Sequence, residues 1–370
     1  MSGLITPADD YPLHQTAAPF RDTGTDPNAY DRFFFNGYNR DATAYLACAL
    51  GQYPGRNVMD AAFSVVVDGT QHNVLASRVL GADRLDTQVG PIRVEIVEPL
   101  RRLRIVVDDP ESGIAADLLF TARGPAFEEE PYRWGPGLHA VMDYTRLTQS
   151  GTWTGTVTAG GRMVEVDPAR WWGTRDRSWG IRPVGGGDPN RAPDGLPGFY
   201  WLWAPVNFDD AVFLWDVNET AEGHHWHEEA MWAPVAPAAD PLTATVETGT
   251  ARYERTFKPG TRHAKTFMLR LEFPSGTRTL EFEPVFPFAM RGIGYTHPSC
   301  GHGVYQGALA VTRETYVTAE LDERDPFLQH IQELCRVRRD DGATGIGILE
   351  QLIFGPHAPS GLHDLLDMPG

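Results

Sequence analysis

Asp176 is the acid on which chemistry can be built in this chain. Eight of the ten tryptophans fall between Trp171 and Trp232, so its carboxyl sits within the densest aromatic stretch. Burial among apolar rings strips hydration from the charged form and can raise a carboxyl pKa by up to ~3–5 units. An acid kept neutral in this way can protonate an alkene. Indole faces would then stabilise the resulting carbocation by roughly 1–2 kcal/mol each where water is excluded. On a strand, Trp172, Thr174, Asp176 and Ser178 share one face, and Gly173, Arg175, Arg177 and Trp179 the other. The two arginines, which would lower the acid's pKa, are therefore expected to point away from it. Phe199, Trp201 and Trp203 align in the same fashion. The expected catalytic set is Asp176, Thr174 and His225, with Trp172, Trp179, Tyr200, Trp201, Trp203, Trp215 and Trp226 binding substrate. The competing expectation makes these rings core filler and ties Asp176 to Arg182 or another arginine.

His224, His225, Trp226, His227 and Glu228 form the densest group of metal-ligand types. On a strand His225, His227 and Glu229 would share a face, but further ligands must come from elsewhere, such as His297 or His302. Two histidines at strand spacing are a weak metal signal, so a pocket-lining histidine is expected and no metal. No Gly-rich phosphate loop or dinucleotide fingerprint occurs, and only two lysines, Lys258 and Lys265, could form a Schiff base. No cofactor is expected. The run from Asp176 to Gly180 approaches a nucleophile elbow, yet Asp176 occupies the first glycine position and a Pro/Gly loop follows where a helix is required. Ser178 is accordingly not expected to be a nucleophile.

The elements that must position these residues read as short strands. The chain has 370 residues, with 38 glycines and 29 prolines spaced for turns, and helical periodicity is scarce. Strands are predicted at 63–67, 93–97, 103–107 and 115–121, then at 199–203, 211–217, 224–232, 265–273 and 278–284. A hairpin spans 152–167 around Ala159-Gly160-Gly161. Half of the positions from Ile181 to Gly198 are Gly or Pro, which marks a junction between two domains, residues 1–185 and 186–370. Each half is long enough for an antiparallel barrel of about eight strands, a closure that removes exposed edges and can hold one apolar ligand.

Composition narrows the function further. A formal net charge of -17 repels nucleic acid and anionic lipid. No apolar run reaches the ~20 residues of a membrane helix. Cys48, Cys300 and Cys335 are too few and scattered for a disulfide framework, and residues 1–15 lack a secretory pattern, so the expected compartment is a reducing cytoplasm.

The stretch Trp172-Gly173-Thr174-Arg175-Asp176-Arg177-Ser178-Trp179-Gly180 resembles the Asp-His-Ser/Asn-Trp-Gly signature of the hydroxyneurosporene synthase family, the carotenoid 1,2-hydratases. Asp31-Arg32-Phe33-Phe34-Phe35, Gly51-Gln52-Tyr53-Pro54, Leu349-Glu350-Gln351-Leu352 and Gly355-Pro356-His357 are similar to a bacterial branch of it. Thr174 and Arg177 stand where the hydratases carry Tyr and His. The resemblance implies an all-β fold of two tandem lipocalin-like barrels and cofactor-free chemistry on an isoprenoid double bond, with Asp176 as general acid. The expected function is therefore hydration, dehydration, isomerisation or cyclisation of a hydrophobic terpenoid-like or polycyclic substrate. The alternative is a carrier of a lipophilic small molecule. A homodimer stays open in either case.

Overall fold

The computed structural model describes residues 7–12, 26–135, 141–185, 198–237 and 240–369. Most of the Pro/Gly junction, residues 186–197, and most of the first fifteen residues lie outside the described residues. The rest is β-structure linked by turns and short 3-10 segments, as the density of turn residues and β-branched runs requires. The 152–167 hairpin is present as Met142–Ala159 paired with Arg162–Val166, with Gly160 and Gly161 taking positive φ at its tip.

Eight antiparallel strands between Phe199 and Phe354 close into a barrel, Thr344–Phe354 pairing back onto Phe199–Asn207. The first half forms a strongly curled antiparallel sheet in which Ala29–Asn39 lies between Tyr45–Tyr53 and Trp171–Ile181. Its edge is extended by Leu309–Val317, a strand from the second half that pairs with Thr70–Val79. The architecture is thus two lipocalin-like antiparallel barrels, one closed and one open. Among the described residues no helix is long and apolar enough to cross a membrane.

Strand alternation sends each strand's two faces to different cores. One core fills the curled sheet around Phe35, Leu46, Phe120 and Trp153. A second fills the closed barrel around Trp215, Phe267, Leu269 and Leu349. A third lies between the two, where Phe34, Tyr38 and Tyr45 of the sheet meet Trp203, Leu214, Phe288 and Ile348 of the barrel. Both barrel interiors are thus packed with side chains among the described residues, whereas the sequence reading places an apolar ligand inside one barrel.

Close approach at one point needs glycine. Trp153 is fully buried and its indole N–H donates to the Asn36 carbonyl at 2.9 Å. A Cβ on Gly173 would meet that indole nitrogen at 2.5 Å, besides the Asn36 carbonyl. Gly173→Ala should consequently destabilise the protein by about 1–3 kcal/mol through overpacking, seen as a lowered thermal midpoint. An unchanged midpoint would refute this account of the curled sheet's core.

Candidate functional site

A cavity of about 220 Å³ opens in the seam between the two halves. Sheet residues reach it from alternate positions on three neighbouring strands: Tyr30 and Phe34, Asp176 and Ser178, and Tyr144 and Arg146. The barrel side is built from in-register cross-strand pairs. Phe199 faces Phe354, Trp201 faces Leu352 and Trp203 faces Glu350, and all six line the cavity. Tyr295 and His330 complete that wall. Apolar and aromatic surface dominates, with a few polar groups, as in sites for small organic ligands.

The Asp176 carboxyl faces this space, and among the described residues no hydrogen bond or ion pair engages it. It is half-buried, with the cavity beside it. Burial raises its pKa to about 6, against the opposing field of Arg146 and, more weakly, Arg32. Arg175 and Arg177 point away, as alternation predicts. They are buried on the other face, where Arg175 pairs with Asp10 and donates to Gln149 at 2.9 Å, while Arg177 pairs with Asp31.

The guanidinium that does oppose Asp176 is held by other carboxylates. Arg146 donates through Nε to Glu129 Oε2 and through Nη2 to Asp216 Oδ2, both at 2.7 Å, with Tyr132 completing the network. Two carboxylates thus draw Arg146 toward themselves, and Asp176 stays unpaired. Asp216 is buried, which favours its neutral form, but His227, Arg146 and Tyr132 hold its pKa below the usual range. Glu229 is pushed up to about 9 by burial and by the charges of Asp216 and Glu129.

A second carboxylate faces the cavity from the barrel side. Glu350 Oε1 lies 2.5 Å from His330 Nε2, and its Oε2 accepts from Gln332 Nε2 at 2.6 Å. The His330 ring is held edge-on to Tyr295 and Trp201, with centroids 4.5 and 5.9 Å away. Arg182 lies over Tyr30 and Tyr295, at 4.6 and 5.6 Å from their ring centroids. The arrangement offers one unpaired acid, one carboxylate–imidazole pair and aromatic walls, which is sufficient equipment for proton transfer to and from a bound apolar molecule.

Of the residues expected from the sequence, the cavity gathers Asp176, Trp201 and Trp203. Thr174 is fully buried and does not line it. Trp179 takes the opposite strand face to Asp176. Trp172 lies between the guanidiniums of Arg40 and Arg123, 4.1 and 4.3 Å from its ring, at a separate groove. Tyr200 and Trp215 fall inside the closed barrel because their strand parity turns them there. The Tyr200 hydroxyl bonds that of Tyr253 at 2.7 Å, and Trp215 packs on Phe267. Trp226 stacks with Trp134 in an outer groove.

His225 is also away from the cavity, exposed and bonded to Glu228 at 2.8 Å. A register shift between Asn218 and Glu219 leaves Trp226 unpaired and breaks the alternation that would have joined His225 to His227. Arg182, expected only as an arginine tied to Asp176, lines the cavity without pairing with it, and Arg146, His330 and Glu350 were not foreseen from the sequence. Of these only Glu350 carried a signal, since it stands in the Leu349-Glu350-Gln351-Leu352 motif.

A closed barrel and a curled sheet clasping a cavity define a two-barrel, lipocalin-like protein. Within that class the chain belongs to a family of unknown function, DUF8625, whose model matches residues 5–363. No curated protein matches it in sequence. Among solved structures, a candidate AttH from Nitrosomonas europaea is similar at 13% identity over 88% of this chain and 92% of that one, with a TM-score of 0.51. CghA is similar at 11% identity over 94% and 96%, with a TM-score of 0.52, and its complex with Sch210972 gives the same TM-score. Kievitone hydratase from Nectria haematococca is similar at 11% identity over 88% and 89%, with a TM-score of 0.49. At these identities the likeness is one of fold.

The raised pKa of Asp176 has a thermodynamic consequence. A folded-state value of about 6 above the ordinary 3.8 means that stability is fully present at low pH and is lost as pH rises through the folded-state value. The penalty at pH 8 reaches about 3 kcal/mol. Asp176→Asn removes it, so the variant should melt above the wild type at pH 8, and the difference should shrink through pH 6 to 4 and close only below about pH 3.5. A difference independent of pH would refute the burial of an unpaired carboxyl.

Proposed function

We propose that the protein is a cofactor-independent enzyme that uses Asp176 as a general acid on a double bond of a hydrophobic, terpenoid-like or polycyclic substrate held in the seam cavity. Hydration, double-bond isomerisation and cationic cyclisation share this first proton transfer, and in dehydration the same proton would go to the departing hydroxyl. The observation that carries the proposal is the Asp176 carboxyl itself, unpaired and facing an aromatic cavity, where burial raises its pKa to about 6. A pKa close to neutrality maintains a proton-bearing population while leaving the proton transferable, which is the compromise general acids require.

The rest of the cavity fits the same chemistry. Trp201, Trp203, Phe34 and Tyr295 supply π-faces for positive charge developing on the substrate. Glu350 and His330 stand on the opposite wall, positioned to accept a proton if the reaction ends in elimination. A fold relative, CghA, has been crystallised with Sch210972, which is compatible with ligand binding by this architecture.

The test incubates wild type and Asp176→Asn with pools of terpenoid and polycyclic compounds and follows them by mass spectrometry, alongside native mass spectrometry of ligands retained by each protein. The wild type should convert a compound that Asp176→Asn still binds within a few-fold but turns over about 10²–10⁴ times more slowly. Equal turnover by the two proteins would remove Asp176 from the chemistry. Equal binding with no conversion by the wild type would instead make the protein a lipophilic carrier, with Asp176 a structural contact.

A further inference from the structure

Behind the cavity wall lies a second set of groups, none of which lines the cavity. Glu129 comes from the curled sheet, and Asp216, His227 and Glu229 from the closed barrel. Each offers one ligand atom, and these atoms all lie within 4.8 Å of one another. Glu129, Asp216 and His227 are at least nine-tenths buried. The His225, His227 and Glu229 strand face weighed from the sequence is thus replaced by a set drawn from both halves of the molecule.

Two observations point to a cation site. Glu129 and Asp216 share a single guanidinium, that of Arg146. Asp216 Oδ1 has no hydrogen-bond partner among the described residues, and neither has His227 Nε2, which lies 3.3 Å from Asp216 Oδ2 outside hydrogen-bonding geometry. The imidazole is not free to turn aside, because its ring stacks on Tyr132 with centroids 3.7 Å apart. The neighbouring carboxylates are braced as metal-binding groups commonly are. Glu129 Oε1 accepts from the Thr148 hydroxyl at 2.6 Å, and Glu229 Oε2 from the Glu130 amide at 2.9 Å.

We propose that Glu129, Asp216, His227 and Glu229 bind one divalent transition-metal ion that clamps the curled sheet to the barrel. One imidazole with carboxylates suits Zn²⁺ or Mn²⁺, and the absence of thiolate among these four groups disfavours soft Cu(I). Arg146 stays beside the ion as the second positive charge of the cluster. The role is structural and does not depend on the reaction assigned to Asp176.

The test is elemental analysis of the whole protein purified without chelator or immobilised metal, followed by EDTA treatment and calorimetric titration with ZnCl₂ and MnCl₂. One ion per chain is expected for at least one of the two metals, with a lowered thermal midpoint after EDTA. Asp216→Asn and His227→Gln should weaken binding about tenfold or more, whereas His225→Gln should not. Mn²⁺-loaded wild type should show hyperfine coupling to an imidazole nitrogen. Failure of the wild type to take up either ion stoichiometrically overturns the proposal. So does undiminished uptake by Asp216→Asn and His227→Gln, or loss of uptake in His225→Gln. Should the first two variants not fold, absence of the nitrogen coupling in the wild type overturns it.

Discussion

The Asp176 carboxyl is half-buried between two sheets without a hydrogen-bond or ion-pair partner among the described residues, although a guanidinium stands close enough to lower its pKa. That state persists because Arg146 is already engaged by Glu129 and Asp216, and because strand alternation turns Arg175 and Arg177 to the other face. Were any of the three free to swing onto Asp176, the acid would be fixed in its ionised form. The site therefore depends as much on where the positive charges are tied down as on the aromatic rings.

Placing the cavity in the seam follows from the same packing. Among the described residues each barrel interior is filled by large side chains, such as Trp153 in one and Trp215 in the other. The outer faces of the two sheets meet instead, and the cavity opens in that contact, lined by Phe34, Trp203 and Asp176. A site built from both halves brings together polar groups far apart in sequence, Asp176 with Glu350 and Arg146 with Asp216. It also makes the rigidity of the seam a condition for the chemistry.

Much of this was legible in the sequence wherever the period-two rule suffices. The β architecture, the 152–167 hairpin, the shared face of Asp176 and Ser178, and the shared face of Phe199, Trp201 and Trp203 all follow from alternation within single strands. The same rule, followed strictly, would have turned Tyr200 away from Trp201, and density of aromatic residues misled where parity did not. His225 was lost to a bulge at Trp226, an irregularity with no mark in composition. Arg146, Arg182 and His330 stand in unremarkable sequence, and their roles arise only when the sheet face of one half meets that of the other. Pairing of faces across a seam is a property of tertiary packing that local pattern does not encode.

Everything rests on the protonation behaviour of one side chain, and it can be observed directly. With aspartate labelled by ¹³C at the carboxyl carbon, and the resonance assigned by its disappearance in Asp176→Asn, an NMR titration reports the pKa of Asp176 in the folded protein. The account predicts a midpoint near 6, well above the ordinary 3.8. A midpoint at or below the ordinary value would show a carboxylate held ionised by its arginines, and would contradict the assignment of Asp176 as a proton donor.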